Sequence, residues 1–277
     1  MSLFEKTIKV ILGKDLDFQV GFIVCGTQKG GTSALDHYLR LHPEICMANK
    51  KEVHFFDKDT HFNRDEPDYS RYHVHFDPKE FHTIIGEATP IYMYWDQAME
   101  RIHSYNPDVK LIAVLRNPVK RAFSHWNMER DRNRESRAFW DAILEEQTQF
   151  NNPDREQHRT FSYLERGLYV KQIKQIHAYF HKSQFLLIRN ESLRNDPNTT
   201  LADVAEFLSV PSFEPVEQTD VHSRAYTSEL RQEELNFLNS FYSDEIQDLE
   251  DLLGWDLTDW KACDGDRSLY QHYYSLI

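Results

Sequence analysis

The chain has 277 residues, with 32 Lys and Arg against 45 Asp and Glu, for a net charge of −13. That balance disfavours nucleic acid or an anionic membrane as the main partner, and it favours a neutral or cationic small molecule over a polyanion. The length suits one large α/β domain or two small ones. A single domain over 1–277 is expected, with an insert near 58–82 and a helical C-terminal part near 228–277. Met1 to Asp17 has no long apolar core and no small-residue cleavage site, so it does not read as a signal peptide. No run approaches the roughly 18 apolar residues of a membrane helix. Cys25, Cys46 and Cys263 match no zinc or redox spacing. The spacings of His42, His61, His73, His75 and His82 match no standard metal pattern either. A cytoplasmic, reduced, metal-free protein is the expectation, with its oligomeric state open.

In chain order, residues 19–25 read as a buried strand and 32–41 as a helix stopped by His42-Pro43. Residues 52–57 (Glu-Val-His-Phe-Phe-Asp) are short, aromatic and expected to be extended. Residues 60–79 are polar and rich in His and Tyr, which predicts a loop. A short strand follows at 84–87, then a helix at 95–105 broken by Asn106-Pro107-Asp108. Residues 109–115 are a second central strand, and Pro118 suits the first turn of the next helix. Helices fit 139–150, 167–181, 201–208 and 228–253, and a strand fits 184–189. Strands alternating with helices imply a parallel sheet covered on both faces.

The most telling stretch runs from Phe22 to Leu35. An apolar, β-branched run ends at Gly26, then Thr27-Gln28-Lys29-Gly30-Gly31-Thr32-Ser33 leads into a helix. Loop amides, the positive end of a helix and a lysine together make an anion cradle. The lysine precedes the glycine pair, so this is not a Walker loop, and the glycines do not fit the dinucleotide spacing. Arg116 stands just past the end of the second central strand, with Ser124 eight residues on. Ligands of open α/β sheets bind beyond the carboxyl ends of strands, and arginine suits bidentate phosphate recognition. Residues 116–137 hold seven basic side chains against three acids, of which 130–137 read as a solvated, ion-paired helix face. Two anion sites on two βα units suggest a ligand with two separated phosphates.

Residues 27–33, 52–57, Thr89-Pro90-Ile91-Tyr92, and Leu115-Arg116-Asn117-Pro118 with Arg121 and Ser124 together resemble the PAPS-dependent sulfotransferases, in the branch of the heparan sulfate enzymes. The resemblance spans about 20–226. It implies an α/β, P-loop-like three-layer fold with a central parallel sheet flanked by helices. It also implies 3′-phosphoadenosine 5′-phosphosulfate (PAPS) as donor and 3′-phosphoadenosine 5′-phosphate (PAP) as product. Lys29, Gly30, Gly31, Thr32 and Ser33 would then hold the 5′-phosphosulfate, and Arg116 and Ser124 the 3′-phosphate. Arg166-Gly167-Leu168-Tyr169 resembles a stretch near the nucleotide. His222-Ser223-Arg224 falls on a loop that closes over the donor, with Arg224 the full match. Glu52 falls on the family's base.

Sulfuryl transfer needs in-line geometry, neutralisation of the leaving oxygen and removal of a proton from the nucleophile. Lys29 suits the second demand and Glu52 the third. His54 would share a face with Glu52 in an extended segment, and so could orient it or the acceptor. Ala88 stands where family members often carry a lysine, which leaves Lys29, Lys50 or Lys51 to supply the charge. The acids Asp57, Asp59, Asp65, Glu66 and Asp68 suggest a small cationic acceptor. In size and composition the chain resembles the cyanobacterial saxitoxin-pathway sulfotransferases, which implies a guanidinium alkaloid sulfonated on a carbamoyl nitrogen or a hydroxyl. A carbohydrate or other hydroxyl acceptor is the alternative within the family. A P-loop kinase and a non-catalytic nucleotide-binding module are the alternatives outside it.

Overall fold

The computed structural model describes residues 18–63, 66–152, 154–217 and 229–261. The chain groups into two compact units. The first holds the described residues up to Arg116 and those of Gln175–Ser223, and the second those of Asn117–Lys174 and 229–261.

In the first unit five strands form one parallel sheet. They are β1 (Phe22–Gly26), β2 (Ile45–Met47), β3 (Ile84–Ala88), β4 (Lys110–Leu115) and β5 (Phe185–Arg189), in the spatial order β2-β3-β1-β4-β5. β1 is the middle strand, paired through Val24 to Ala88 of β3 and to Ile112 of β4. All five residues of β1 are buried, as an apolar run without alternation demands when both faces are covered. Helix α1 (Thr32–Leu39) buries Leu35, Tyr38 and Leu39, one face at helical spacing. Those side chains join Phe22, Val24, Ile112, Val114 and Ile188 in the main core. Leu201, Val204 and Leu208, from the long helix after β5, complete it.

The structure departs from the sequence expectations at four points here. Residues 52–57 are irregular rather than extended, because His54 takes a left-handed φ of 58°. The expected loop at 60–79 contains helix α2 (Ser70–His73), which buries Tyr72 completely, with Phe76 just beyond it. β2 is unforeseen because three residues are too few for a period to show. Helix α3 (Ala98–Tyr105) keeps the expected end and starts later.

The second unit is helical. α4 (Pro118–Asp131) is capped by Asn117, whose side chain accepts the N–H groups of Val119 and Lys120 at 3.0 and 3.2 Å. Phe123 and Trp126 pack on Phe139 of α5 (Phe139–Thr148). α6 (Tyr169–His177) starts in this unit and ends in the first. After β5, short α7 (Asn190–Asn195) and α8 (Pro197–Leu208) belong to the first unit. α9 (Gln232–Leu253) returns to the second and stops at Gly254 in the left-handed region. The basic run at 130–137 is ion-paired as expected, Arg132 on Glu129 and Arg137 on Glu135, but both acids are buried.

Candidate active site

β1 delivers its carboxyl end into the loop 27–31. The Thr27 amide donates to the Val114 carbonyl at 3.2 Å and the Gly30 amide to the Thr27 carbonyl at 2.8 Å, so the loop doubles back against β4. A Cβ on Gly30 would lie 2.1 Å from the Val114 carbonyl oxygen, so only glycine permits this approach. Gly31 has φ 116°, and a Cβ there would meet the Asn190 amide at 2.6 Å. Two side chains fix the outer turn. Arg116 donates to the Lys29 carbonyl at 3.3 Å, and Asn190 to the Gly30 carbonyl at 2.7 Å. Gly31 caps α1 without a side chain, so the first amides of the helix, which have no intrahelical acceptor, keep their donor capacity. The result is a close-fitting backbone cradle at the positive end of a helix, suited to a phosphate or phosphosulfate.

β3 leaves the sheet beside β1, and the Thr89 amide donates to the Val24 carbonyl at 3.1 Å. The Thr89 hydroxyl then accepts the Val53 amide at 3.0 Å. This tie holds 52–57 at the carboxyl end of the sheet. There His54 lies between two carboxylates, with Nε2 at 3.1 Å from Glu52 Oε2 and Nδ1 at 3.0 Å from Asp57 Oδ2. Asp57 is fully buried, whereas Glu52 and His54 are partly open. The hydrogen bond to Asp57, and next the one to Glu52, push His54 up to about 9, against the opposing effect of burial. At neutral pH His54 is therefore an imidazolium between the two carboxyl groups. Lys51 adds a cation 3.8 Å from Glu52.

The structure thus brings Glu52 and His54 together, as expected, by an irregular turn rather than by strand alternation. The sequence offers Asp57 only as an acid of the acceptor side, because its spacing of three from His54 across a left-handed residue is invisible to a strand or helix pattern. Lys29, Gly30, Gly31, Thr32, Ser33 and Arg116 share the cradle in the first unit. Ser124 and Tyr169 belong to the second unit, where both are buried and Tyr169 packs near Trp260. In that unit Glu146 accepts the Leu164 and Glu165 amides at 2.8 and 2.9 Å, and Glu245 accepts the Val170 amide at 2.8 Å. Burial pushes both acids up to about 7. His222, Ser223 and Arg224 lie outside the described residues.

The segment after Asp57 is mixed in charge rather than simply acidic. Asp59 is paired with Arg101 at 2.6 Å and Asp77 with Lys79 at 2.9 Å. Burial lowers His61 and His75, and nearby cations lower them further: Lys58 and Arg71 act on His61, Lys50 and Lys58 on His75. His42 and His73 hold structural hydrogen bonds, to the Pro211 carbonyl and the Tyr105 hydroxyl, each at 2.9 Å. Among the described residues no helix is long and apolar enough to cross a membrane.

A parallel sheet with a glycine cradle after its middle strand defines a P-loop-like α/β protein with a loop suited to a phosphate-bearing group. The family model described as Sulfotransferase domain matches residues 21–251, and the chain belongs to this PAPS-dependent sulfotransferase family. Heparan sulfate glucosamine 3-O-sulfotransferase 6 of Mus musculus is 32% identical over 192 residues, 68% of this chain and 52% of that protein. Heparan sulfate glucosamine 3-O-sulfotransferase 5 of Homo sapiens is 27% identical over 190 residues, covering 68% and 53%. The chain spans about half the length of these curated relatives. The crystal structure of a sulfotransferase from Alicyclobacillus acidocaldarius superposes with a TM-score of 0.75 at 27% identity, over 88% of this chain and 99% of that one.

Proposed function

We propose that this protein moves a sulfuryl group from PAPS to an O–H or N–H of a small acceptor, with Glu52 as base and Lys29 neutralising the leaving phosphate. The observation that carries this reading is the Glu52–His54–Asp57 arrangement, tied through Thr89 to the strand beside the glycine cradle. The chemistry follows from its charges. A lone imidazolium would hold the Glu52 carboxylate ionised and make it a poor base. The Asp57 carboxylate offsets that effect, so the three groups carry one net negative charge. They become neutral on accepting the acceptor's proton. The donor suits the cradle because Gly30 and Gly31 let the loop close tightly on the Val114 carbonyl and Asn190 at the start of α1, where the first helix amides can meet an anion, and PAPS supplies the sulfuryl group to be transferred. Lys29 to Ser33 would bind its 5′-phosphosulfate. Arg116 and Ser124 would bind its 3′-phosphate, with Tyr169, Ser223 and Arg224 completing donor recognition. Those assignments rest on the sequence resemblance.

For the acceptor, the acids counted near Asp57 support a small cationic metabolite, such as a saxitoxin-type guanidinium alkaloid sulfonated on its carbamoyl nitrogen. The ion pairs that occupy Asp59 and Asp77, and the cations acting on His61 and His75, favour a neutral or carbohydrate hydroxyl instead. One assay separates these. The protein is incubated with PAPS and a panel of guanidinium alkaloids, simple alcohols and amino sugars, and products are read by mass for gain of one sulfuryl group. Wild type should label one class, and Lys29→Ala and Glu52→Gln should abolish labelling. Full activity in both variants removes the mechanism. ATP consumption dependent on Mg²⁺ would favour a kinase, and donor binding without any product a binding module.

A further inference from the structure

Beneath the Glu52–Asp57 turn lies a buried polar cluster that the mechanism above does not use. Glu87, on β3, is fully buried. Its carboxylate accepts the Tyr72 hydroxyl at 2.9 Å and the Thr89 hydroxyl at 2.5 Å, and the Tyr92 hydroxyl also bonds to it. Two of these hydroxyls carry the bonds onward. Thr89 Oγ1 accepts the Val53 amide at 3.0 Å, and the Tyr92 hydroxyl accepts the Phe55 amide at 2.9 Å. Val53 and Phe55 are the two chain neighbours of His54, whose φ of 58° is uncommon for a residue with a side chain.

We propose that Glu87 is a positioning residue for the reactive turn: by taking the hydroxyl protons of Thr89 and Tyr92, it aims their lone pairs at the Val53 and Phe55 amides and so locks His54 between Glu52 and Asp57. The proposal rests on the reading of Glu52 as base for its meaning in catalysis, but not for its geometry. A hydroxyl has one proton and can rotate. While that proton is committed to Glu87, the oxygen presents only acceptor capacity to the turn. With both amides flanking His54 held, the left-handed conformation between them is over-determined, which is how a strained residue persists. A glutamine at 87 has one acceptor oxygen and a donating NH₂. It cannot receive all three hydroxyls, so one rotor is released.

Burial pushes Glu87 up to about 7, with hydrogen bonds from Thr89, Tyr72 and Tyr92 opposing it and the Asp57 charge reinforcing it. Tyr105 is the further titratable group coupled to it. Glu87 also acts on Asp57 through charge, so Thr89→Val, which keeps the Glu87 carboxylate, isolates the backbone route to His54.

The test is the titration of His54 in the full chain, followed by NMR through the imidazole resonance that disappears in His54→Gln. Wild type should titrate near about 9. In Glu87→Gln the midpoint should fall by at least about one unit, towards the ordinary ~6.5 of a solvated histidine. The thermal shift given by PAP should stay as in wild type, because the cradle is untouched. A purely structural role for Glu87 would lower the melting temperature and leave the His54 midpoint of the folded protein at about 9, and that result overturns the proposal. If Glu87→Gln does not fold, Thr89→Val decides in the same way, since it removes the acceptor of Val53 and keeps the carboxylate. An unchanged midpoint there also overturns it. Glu52→Gln with undiminished sulfuryl transfer would remove the base assignment alone and leave the titration result standing.

Discussion

Replacing His54 by glutamine isolates the charge arrangement at the centre of the site. The perturbation removes a group that bonds both Glu52 and Asp57 and leaves a side chain of similar length. His54 is raised from its ordinary 6.5 to about 9. A displacement of that size corresponds to ~3 kcal/mol at about 1.36 kcal/mol per pKa unit. The side chain is 32% exposed, so screening by water reduces the contribution to about 1–2 kcal/mol. The folded value lies above the unfolded one. The stabilisation is therefore complete below about 6.5 and disappears as pH rises through about 9. Glu87, Glu146 and Glu245, each pushed up to about 7, act in a lower window. Urea unfolding of wild type and His54→Gln at matched pH values between 6 and 9.5 cancels what the two share. The stability gap should be about 1–2 kcal/mol at pH 6 and shrink towards zero by about pH 9.5. A gap that stays constant with pH, or widens, refutes the assignment of a charged His54 held by two carboxylates.

Other outcomes follow from the same geometry. Gly30→Ala places a Cβ against the Val114 carbonyl, so calorimetry should show a loss of about 2 kcal/mol or more, and PAP should no longer raise the melting temperature. Asn190→Ala removes the bond that fixes the Gly30 carbonyl and should cost about 1 kcal/mol, with weaker PAP binding by titration calorimetry and no change in the His54 titration. Glu146 is buried with its value raised, so its contribution to stability declines as pH rises from 4.5 to about 7. Chemical unfolding of Glu146→Gln over that range should show a shallower decline than wild type, and equal slopes would argue against the assignment. Asp57→Asn should lower the His54 midpoint and depress sulfuryl transfer together, read by NMR and by product mass, because the imidazolium then faces Glu52 alone.

Residue order alone carried the parallel α/β plan and the glycine loop, and it put Glu52 forward as the candidate base. Those features depend on local chemistry. An unbroken apolar run demands a strand covered on both faces, and only glycine tolerates the close approach and positive φ that follow it. Glu52, Lys29, Arg116 and the Thr89-Pro90 turn stand out in the sequence because each sits in a short motif. What required the tertiary structure was everything set by partners distant in the chain. Asp57 becomes part of the site only because His54 turns left-handed, and His54 holds that conformation between amides pinned 36 and 37 residues later, at Thr89 and Tyr92. In sequence Glu87 is only the last residue of the strand expected at 84–87. In the folded chain it is the buried carboxylate on which three hydroxyls converge, a role decided by what surrounds it rather than by its neighbours in sequence. The charge of the acceptor side followed the same logic. Acidic residues counted along 57–77 suggested a negative pocket, yet Arg101 and Lys79 neutralise two of them, and ion pairing is settled by distances in space that composition does not contain.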